Sequence, residues 1–547
     1  MTLSASLDVI PRSRIALAEE SGAYIDEDMA ASAKSLHTLR SHNNPFISCL
    51  PPEILVDIFT YTVEETCNSL GAMIATHVCR HWRQVALECP TLWTYIDCVR
   101  ARWLAILLER SKGAALIVIY SLPHVLERCA EQILSQLPRI KVLRLCSFSF
   151  DADRIVDCLS SQPAPFLQKF RLGVIDGPHP HITDTIFQGQ APQLRSVELF
   201  QCIFSWTLFI FSGLRTLDVR RVGFASCPTL LQLLSALKRM PGLEQLTLDL
   251  LPQSENTQLF HEVSLARLKS IALHGLTIHT AISLFSHLLL PGDVKITLDL
   301  APPESPESFH DLFSAMYKDP DKSLPVIQAM RAEFAYGLFD LQFSTSTAFK
   351  SEYFWDPCHG DIPLSIKFQC QEFSIEPTIV FDVCRIVPHR KIQHLFVSSR
   401  SLDPLEHFWR TGSTVLPELE SMHLSVSTPI GSFIDALQSG DMQGSDIAYP
   451  SLRDLRFDHL SFGCDEPGYL QAILMMRAER GVGINKLQLE MCRNLTGDKV
   501  QLLRDVVADV DWDGHEEDLL NGGWGCTCVS CTVLNWDSII PVDSTSI

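Results

Sequence analysis

Residues 243–248 of the chain, LEQLTL, place apolar side chains at the first, fourth and sixth positions. The last three residues alternate with a period of two, which is typical of a short strand that buries one side and leaves the other open. The same L-x-x-L-x-L pattern begins at Ile140, Leu167, Leu194, Leu214, Leu243, Leu268, Leu338, Ile392, Leu419, Leu452 and Ile484, with weaker copies around Val294 and Leu364. We therefore expect a fold built from one small unit repeated many times.

The spacing of the copies indicates what that unit is. Neighbouring copies in the first block lie 20 to 29 residues apart, the length of a leucine-rich repeat. One unit is too small to bury its own apolar face, so stacked neighbours supply the cover and a helix or loop leads back to the next strand. The sequence therefore predicts an α/β fold in which residues 98–510 form a leucine-rich-repeat solenoid, a horseshoe of parallel strands and helices.

Three segments lie outside this repeat. Residues 301–325 are rich in Pro, Ser and charge, and are predicted to be an insertion made of a loop, a short helix and a second loop. Residues 511–547 contain glycine pairs and no repeat, which predicts a C-terminal cap or tail. Residues 1–44 are predicted to form an N-terminal helical segment followed by a linker.

The composition narrows the classes of partner. The 44 Lys and Arg against 64 Asp and Glu give a net charge of −20, which disfavours nucleic acid as a ligand. No apolar run approaches the roughly 18 residues that a membrane span needs. Asp8 and Pro11 interrupt the N-terminal region where a secretory signal would be apolar. The 18 scattered cysteines predict reduced thiols and a cytoplasmic or nuclear location, and the partners are expected to be proteins.

A different pattern precedes the repeats, in residues 45–97. Pro51-Pro52 suits the start of a helix, and Glu53 complements the positive end of its dipole. Apolar residues then follow at helical spacing, and residues 78–86, VCRHWRQVA, give a second apolar stripe. The segment is predicted to be a three-helix unit that ends near Leu92-Trp93.

The order LPPEIL, IF, VCRHWRQVA and LW resembles an F-box, the segment by which substrate receptors bind the Skp adaptor of Skp–cullin–F-box ubiquitin ligases. With its repeats, the chain is similar to the F-box-like proteins abundant in mushroom-forming (basidiomycete) fungi. The resemblance implies a substrate-recognition subunit that binds the adaptor and, through it, a cullin. The residues that it assigns to adaptor binding are Leu50, Pro51, Glu53, Ile54, Leu55, Ile58, Phe59, Val78, Trp82 and Trp93.

Two alternatives remain at this point. Trp82 and Trp93 could contact the adaptor or only hold the helices together. The whole three-helix unit could instead be a cap on the first repeat, which repeat arrays need at their ends. In that case the protein would be an interaction scaffold outside any ligase.

A protein target is expected on the outward side chains of the strands, which line the concave face of a leucine-rich array. Charges on this face are mixed, with a basic group at its start and an acidic character later. The alternative is that these are ordinary solvated strand residues. The candidates for target binding are Arg144, Lys169, Arg171, Arg220, His394, Phe396, His423 and Arg456.

The sequence contains none of the common signatures for nucleotide binding, nucleophilic hydrolysis or zinc proteolysis. We therefore expect no catalytic residues and no cofactor. Cys526, Cys528 and Cys531 could bind zinc with His515, which leaves a zinc enzyme as a third hypothesis, but unrelated cysteines beside glycines are the simpler interpretation and no metal site is predicted. Cys202 and Cys492 follow strands at the position where leucine-rich repeats use Asn or Cys to satisfy backbone groups.

Overall fold

The computed structural model describes residues 50–516 except 67–69, 98–100, 121–122, 148–151, 175–178, 224–225, 250–261, 302–306, 319–325, 336–337, 347–361, 370–391, 400–404, 426–427, 429, 439–446 and 464. Two compact units are present. The first comprises the described residues up to Ser196 together with Phe200–Phe204, and the second comprises Val197–Leu199 and the described residues from Ser205 onward. The predicted segment 1–44 and residues 517–547 of the predicted tail lie outside the described residues.

The first unit begins with three helices and continues with strands that pair in parallel. The pairs β1–β2, β2–β3 and β3–β4 are parallel, as is the short pair β5–β7. Strand β6 contributes residues to both units. The elements are α1 (Pro52–Thr66), α2 (Leu70–Val78), α3 (Arg80–Glu88), β1 (Tyr95–Asp97), α4 (Ala101–Arg110), β2 (Leu116–Tyr120), α5 (Pro123–Leu134), β3 (Ile140–Ser147), α6 (Ala152–Ser160), β4 (Lys169–Val174), β5 (His181–Ile182), β6 (Ser196–Phe200) and β7 (Ile203–Phe204).

The second unit alternates strands with helices over most of its length. Its elements are β8 (Thr216–Arg220), α7 (Leu230–Lys238), β9 (Gln245–Asp249), β10 (Val263–Ser264), β11 (Ser270–Leu276), α8 (Ile278–Phe285), β12 (Leu288–Leu289), β13 (Lys295–Leu300), α9 (Glu307–Met316), β14 (Ala329–Ala335), β15 (Leu338–Ser344), β16 (Leu364–Gln369), β17 (His394–Ser399), α10 (Glu406–Val415), β18 (Ser421–Ser425), α11 (Ile430–Gln438), β19 (Asp454–Asp458), α12 (Glu466–Glu479), β20 (Lys486–Glu490), α13 (Gly497–Arg504) and β21 (Asp509–Trp512).

Strands of the second unit pair in the order β8, β9, β11, β13, β16, β15, β14, β17, β18, β19, β20 and β21. All of these pairs are parallel except β16–β15 and β15–β14. The protein is therefore a mixed α/β fold with helices first and a mostly parallel sheet after them, as predicted. Among the described residues, no helix combines the length and apolar content needed to cross a bilayer.

Every copy of the L-x-x-L-x-L pattern coincides with a strand. In β8, Leu217 and Val219 are buried while Thr216 and Asp218 remain partly exposed, and β9 and β20 alternate in the same way. The turn that leads into the strand also recurs. The N–H groups of Leu243, Leu268 and Leu452 each donate to the carbonyl three residues earlier, at 3.0 to 3.2 Å. The repeated letters thus encode a repeated strand together with its entry turn.

The copy at Leu338 departs from the predicted parallel arrangement. Its strand, β15, lies antiparallel between β14 and β16, so β13 pairs with β16 rather than with the next strand in sequence. Only two residues separate β14 from β15, and a parallel crossover needs a dozen or more. The prediction of uniformly parallel strands is therefore wrong at this place.

The predicted insertion at residues 301–325 contains the short helix that the sequence indicated, α9. This helix contributes to the core, because Phe309, Leu312 and Phe313 are buried. The ring of Phe309 packs edge-on against Phe368 of β16, with ring centroids 5.3 Å apart. The helix therefore helps to hold the strand that breaks the sequential order.

Polar side chains link segments that lie 25 to 35 residues apart by donating to backbone carbonyls. Three arginines donate to carbonyls earlier in the chain, and one of them, Arg477, is completely buried. The thiols of Cys202 and Cys492 do the same, as predicted, and burial raises the pKa of each thiol to about 12. The bonds are Arg139 Nη1 to Ala114 O (3.0 Å), Arg239 Nη1 to Thr207 O (3.0 Å), Arg477 Nη1 to Ala448 O (2.6 Å), Cys202 Sγ to Leu172 O (3.4 Å) and Cys492 Sγ to Phe457 O (3.6 Å).

The completely buried Arg477 gives a test of these connections. It also donates through Nη2 to Tyr449 O at 2.9 Å, and burial lowers its pKa to about 10. We expect Arg477→Met to remove the donor to Ala448 O and one of the two donors to Tyr449 O, which also accepts from Leu452 N, and to lower the free energy of unfolding by about 3 kcal/mol. Urea denaturation measures the change, with exposed Arg480→Met on the same helix end as control. Equal losses in the two variants would show that the buried bonds contribute nothing.

Candidate functional site

Residues 50–97 contain the three helices to which the sequence assigned partner binding. Helix α1 begins at Pro52, where the missing N–H has no intrahelical partner, and Leu55 N donates to Pro51 O at 3.2 Å. Helices α2 and α3 are separated only by Cys79, whose extended backbone and thiol cap α3 by accepting from Trp82 N at 3.4 Å. We call α1, α2 and α3 with residues 89–97 the three-helix module.

One side of α1 forms the core of this module. The buried members include Leu55, Phe59 and Val63 of α1 and the fully buried Trp93. Trp93 Nε1 donates to Ala86 O at 2.8 Å, which fixes the segment after α3 against α3 itself. The Arg110 guanidinium lies 4.4 Å from the centre of the Trp93 ring, a distance at which a cation is attracted to the ring face.

Another side of α1 carries exposed apolar side chains beside exposed acidic residues such as Glu53 and Asp57. Ile54, Ile58 and Tyr61 lie at helical spacing, and their exposed fractions are 46%, 42% and 68%. Isolated exposed apolar residues are common on proteins, whereas an aligned set on one helix face is typical of a binding surface. Ile74 of α2 is also exposed. We call Ile54, Ile58 and Tyr61 the outer stripe.

The ten residues predicted to bind an adaptor are placed differently within the module. Leu55, Phe59 and Trp93 are buried in this chain and hold the helices together. Pro51, Glu53, Ile54 and Ile58 are exposed, and Leu50, Val78 and Trp82 are partly buried. Trp82 packs edge-on against Phe59, with ring centroids 5.0 Å apart. Direct contact with an adaptor remains a prediction for the exposed and partly buried members.

Sequence reasoning did not include Tyr61 or Ile74 among these residues. Tyr61 lies seven residues after Ile54, so helical spacing alone could have placed it on the outer stripe. Ile74 belongs to α2, which no motif singled out, and only the packing of α2 shows that its side chain points outward.

The comparison with known proteins bears on this module. Residues 47–99 match the F-box-like family. The match spans the three-helix module and covers under a tenth of the chain. No curated protein matches the chain. The F-box-like match supports a role in protein–protein interaction, and F-box domains generally bind Skp-type adaptors.

The residues predicted to bind a target fall into two groups, one in each unit. Arg144 on β3 lies next to Arg171 on β4. Lys169 precedes Arg171 by two residues on β4, so these three cations share a surface of the first unit. Arg220 belongs to the second unit, where its guanidinium is held by Asp218 through bonds of 2.8 and 2.9 Å. The predicted basic start of the face is thus divided, and Arg220 is already paired.

The other predicted residues cluster in the second unit. Phe396 on β17, His423 on β18 and Arg456 on β19 are direct neighbours in register, and Arg331 on β14 extends the same line. The Arg331 guanidinium lies 4.5 Å from the centre of the Phe396 ring, and the Phe396 and His423 rings meet edge-on at 4.6 Å. We call these four side chains the arginine row. His394 lies two residues before Phe396 on β17 and is outside the row.

Arg331 had escaped the sequence analysis because β14, AMRAEFA, lacks the L-x-x-L-x-L pattern. Only the pairing of β14 with β17 brings it beside Phe396. The sequence gives only a weak indication of Arg331, since an arginine between Met330 and Ala332 in a short segment has no distinctive spacing.

The arginine row carries two positive charges, those of Arg331 and Arg456. Burial, helped by Arg456 and Arg331, lowers the pKa of His423 to about 4, although Asp458 acts in the opposite direction with its carboxylate 3.9 Å from Nε2. His423 is therefore neutral near pH 7. Arg456 Nη2 is 2.7 Å from a carboxylate oxygen of Glu490, and Arg331 Nη2 is 3.4 Å from one of Glu333.

In the described part of the chain, no group of three or more His, Cys, Asp or Glu side chains is placed to bind a metal ion. Cys526, Cys528 and Cys531 lie outside the described residues. His515 is described, and its backbone N–H donates to Asp513 at 2.9 Å.

The lowered pKa of His423 predicts a pH dependence of stability. The unfolded state takes up a proton near pH 6.5 and the folded state only near pH 4, so the free energy of unfolding falls as the pH is lowered through that window. The difference corresponds to about 3 kcal/mol. His423→Gln should flatten this part of the profile in urea denaturation series between pH 7 and 4. The exposed His310→Gln is the matched control, and identical profiles for both variants would contradict the assignment.

Proposed function

We propose that this protein is the substrate-recognition subunit of a Skp–cullin–F-box type ubiquitin ligase. The supporting observation is the outer stripe, an exposed apolar face on the first helix of a segment that matches the F-box-like family. A Skp-type adaptor would cover this face and link the chain to a cullin. The chain itself would carry no catalytic step, and it would work in the cytoplasm or nucleus.

The chemistry of the outer stripe suits a stable protein contact. Aromatic side chains such as Tyr61 are enriched at protein interfaces, and each apolar side chain contributes about 1.5 to 3 kcal/mol when fully removed from water. The core beneath the stripe is closed by Leu55, Phe59 and Trp93, so the stripe is presented on a rigid helix. Rigid presentation lowers the entropy lost on binding.

The remainder of the chain is proposed to be a leucine-rich-repeat array that captures the protein target. Support comes from the recurring pattern, the mostly parallel pairing, the repeated entry turn and the two thiols that bond preceding carbonyls. The target would contact outward strand side chains, among them the arginine row. The similarity to basidiomycete F-box-like proteins remains part of this proposal.

The second candidate is a non-ligase scaffold in which the three-helix module serves as a cap. One observation favours it, since the module is continuous with the sheet of the first unit. Strand β1 pairs with β2 through Ile96 and Val118, and Ile117 N donates to Thr94 O at 3.0 Å. The pairing of β1 with β2 and the outer stripe use different parts of the module, so a capping role and adaptor binding are compatible in one module.

Adaptor binding can be tested on the exposed side of α1 alone. We expect Ile54→Asp plus Ile58→Asp to weaken binding of a purified Skp-type adaptor at least a hundredfold, because two carboxylates would have to be desolvated in the contact. The midpoint of urea denaturation should change little, since both side chains are exposed in the free chain. Isothermal titration calorimetry measures the affinity. Substitution of Phe59 would be uninformative, because this buried ring supports the fold.

The matched control carries the same change on two other exposed apolar side chains, Leu231→Asp plus Leu502→Asp. This variant should bind the adaptor with the affinity of the unchanged chain. If the unchanged chain does not bind the adaptor at all, the ligase proposal fails and the scaffold remains. If both double variants lose binding equally, the outer stripe is not the contact.

A further inference from the structure

The arginine row has the composition of an energetic centre of a binding surface. Arginine and aromatic side chains are enriched among the few residues that carry most of the affinity in protein interfaces. Arg331, Phe396, His423 and Arg456 lie on four neighbouring strands, and their positions are fixed by the register of the sheet. The side chains of Arg331 and Arg456 are 31% and 28% exposed, so both remain within reach of a ligand.

Hydrogen-bond donors outnumber acceptors along the arginine row. Each guanidinium has five N–H donors, and in the described structure each has one carboxylate partner, reached through Nη2. The Nε atoms of Arg331 and Arg456 are buried without any hydrogen-bond partner among the described residues. Unsatisfied donors of this kind are uncommon in folded proteins. The exposed parts of the two guanidinium groups have further N–H donors that a ligand with acceptors could use.

Carboxylates lie beside the row on both sides. The Asp458 carboxylate of β19 is 3.9 Å from Nε2 of His423, and Glu333 and Glu490 hold Nη2 of Arg331 and Arg456. On β17 and β18 themselves, the positions two residues before and after Phe396 and His423 are His394, Ser398, Ser421 and Ser425. The two strands beneath the centre of the row therefore carry no acid at these positions.

The distance between the two arginines sets a length for the ligand. They are three strands apart, which is about 14 Å at the usual spacing of neighbouring strands. Side chains four residues apart on one side of an extended segment are separated by about 13 Å. An extended segment that crosses the strands can therefore place one side chain at each arginine and the side chain midway between them over Phe396.

We propose that the arginine row binds an extended segment of a protein target with two acidic residues four positions apart and an apolar residue midway between them. The acids pair with Arg331 and Arg456 through the guanidinium edges that are not held by Glu333 and Glu490. The apolar side chain packs on the Phe396 ring. The assignment rests on the proposed function, because it describes which target sequence the receptor selects.

A basic segment fits the same surface less well. It would place cations beside two guanidinium groups, and the neighbouring carboxylates of Glu333 and Glu490 are already engaged by those arginines. The whole chain is acidic, with a net charge of −20, so an acidic segment is attracted only locally, at surfaces such as the row. Such local attraction favours selectivity for a defined spacing over general binding of charged chains.

The experiment uses the full chain and labelled nine-residue peptides in fluorescence anisotropy titrations. The probe peptide contains the order Glu-Ser-Leu-Ser-Glu. One comparison peptide replaces both Glu by Gln, and a second replaces both by Lys. In a third, the two Glu are only two residues apart. We expect the probe to bind at least tenfold more tightly than each comparison peptide. Because the protein is unchanged in these arms, the result does not depend on how a variant folds.

Protein variants then locate the site. Arg331→Gln and Arg456→Gln should each weaken binding of the probe about tenfold, whereas Lys295→Gln should have no effect. Lys295 is an exposed cation on β13 of the same unit and lies outside the row. The proposal is overturned if the probe shows no binding at about 1 mM, if the Gln or Lys peptide binds as well, or if Lys295→Gln weakens binding equally.

Adaptor titrations on the same samples separate this inference from the proposed function. The outer-stripe variant should still bind the peptide, and Arg331→Gln should still bind the adaptor. Adaptor binding without peptide binding would overturn only the assignment of the arginine row. Peptide binding without adaptor binding would overturn only the ligase proposal and leave the row as the binding surface of a scaffold.

Discussion

Each short strand of the sheet carries alternate apolar residues that one strand and its connecting segment are too small to bury. Parallel pairing with the next strand supplies the missing cover. Leu217 and Val219 of β8 are buried because Leu246 and Leu248 of β9 lie beside them in register. The same register aligns the outward side chains into rows across many strands. The pairing of strands that buries the core therefore also determines which outward side chains lie together on the surface.

Backbone carbonyls in several strands and loops accept hydrogen bonds from polar side chains that lie 25 to 35 residues later in the chain. Arg239 and Arg477 donate these bonds through guanidinium groups, and Cys202 and Cys492 donate them through thiols. The choice of an arginine is demanding, because a fully buried guanidinium is stable only when its hydrogen bonds are made. Stacking is thus specific as well as apolar, and the units cannot slide past each other without breaking these bonds.

The three-helix module has buried and exposed apolar side chains on two sides of one helix. Leu55 and Phe59 face inward and are shielded from water, whereas Ile54 and Ile58 are half exposed. The contact between Trp93 and Arg110 joins the module to helix α4, and β1 continues directly into parallel pairing with β2. This division explains why a motif that is short in sequence contains so many apolar residues. Most of them stabilise the module, and the few exposed ones form the surface to which we assign the partner.

The sequence by itself determined the repeated strand, its entry turn, the helical segment ahead of it and the role of Cys202 and Cys492, because these follow from local spacing of side chains. Helical spacing alone does not decide which set of apolar residues on α1 faces outward with Tyr61. The packing of α3 and Trp93 against α1 decides this. The sequence also could not place Arg331, because β14 lies beside Phe396 through its pairing with β17, a strand about sixty residues later in the chain. Contacts between residues distant in sequence depend on tertiary pairing, and that pairing alone assembled the arginine row.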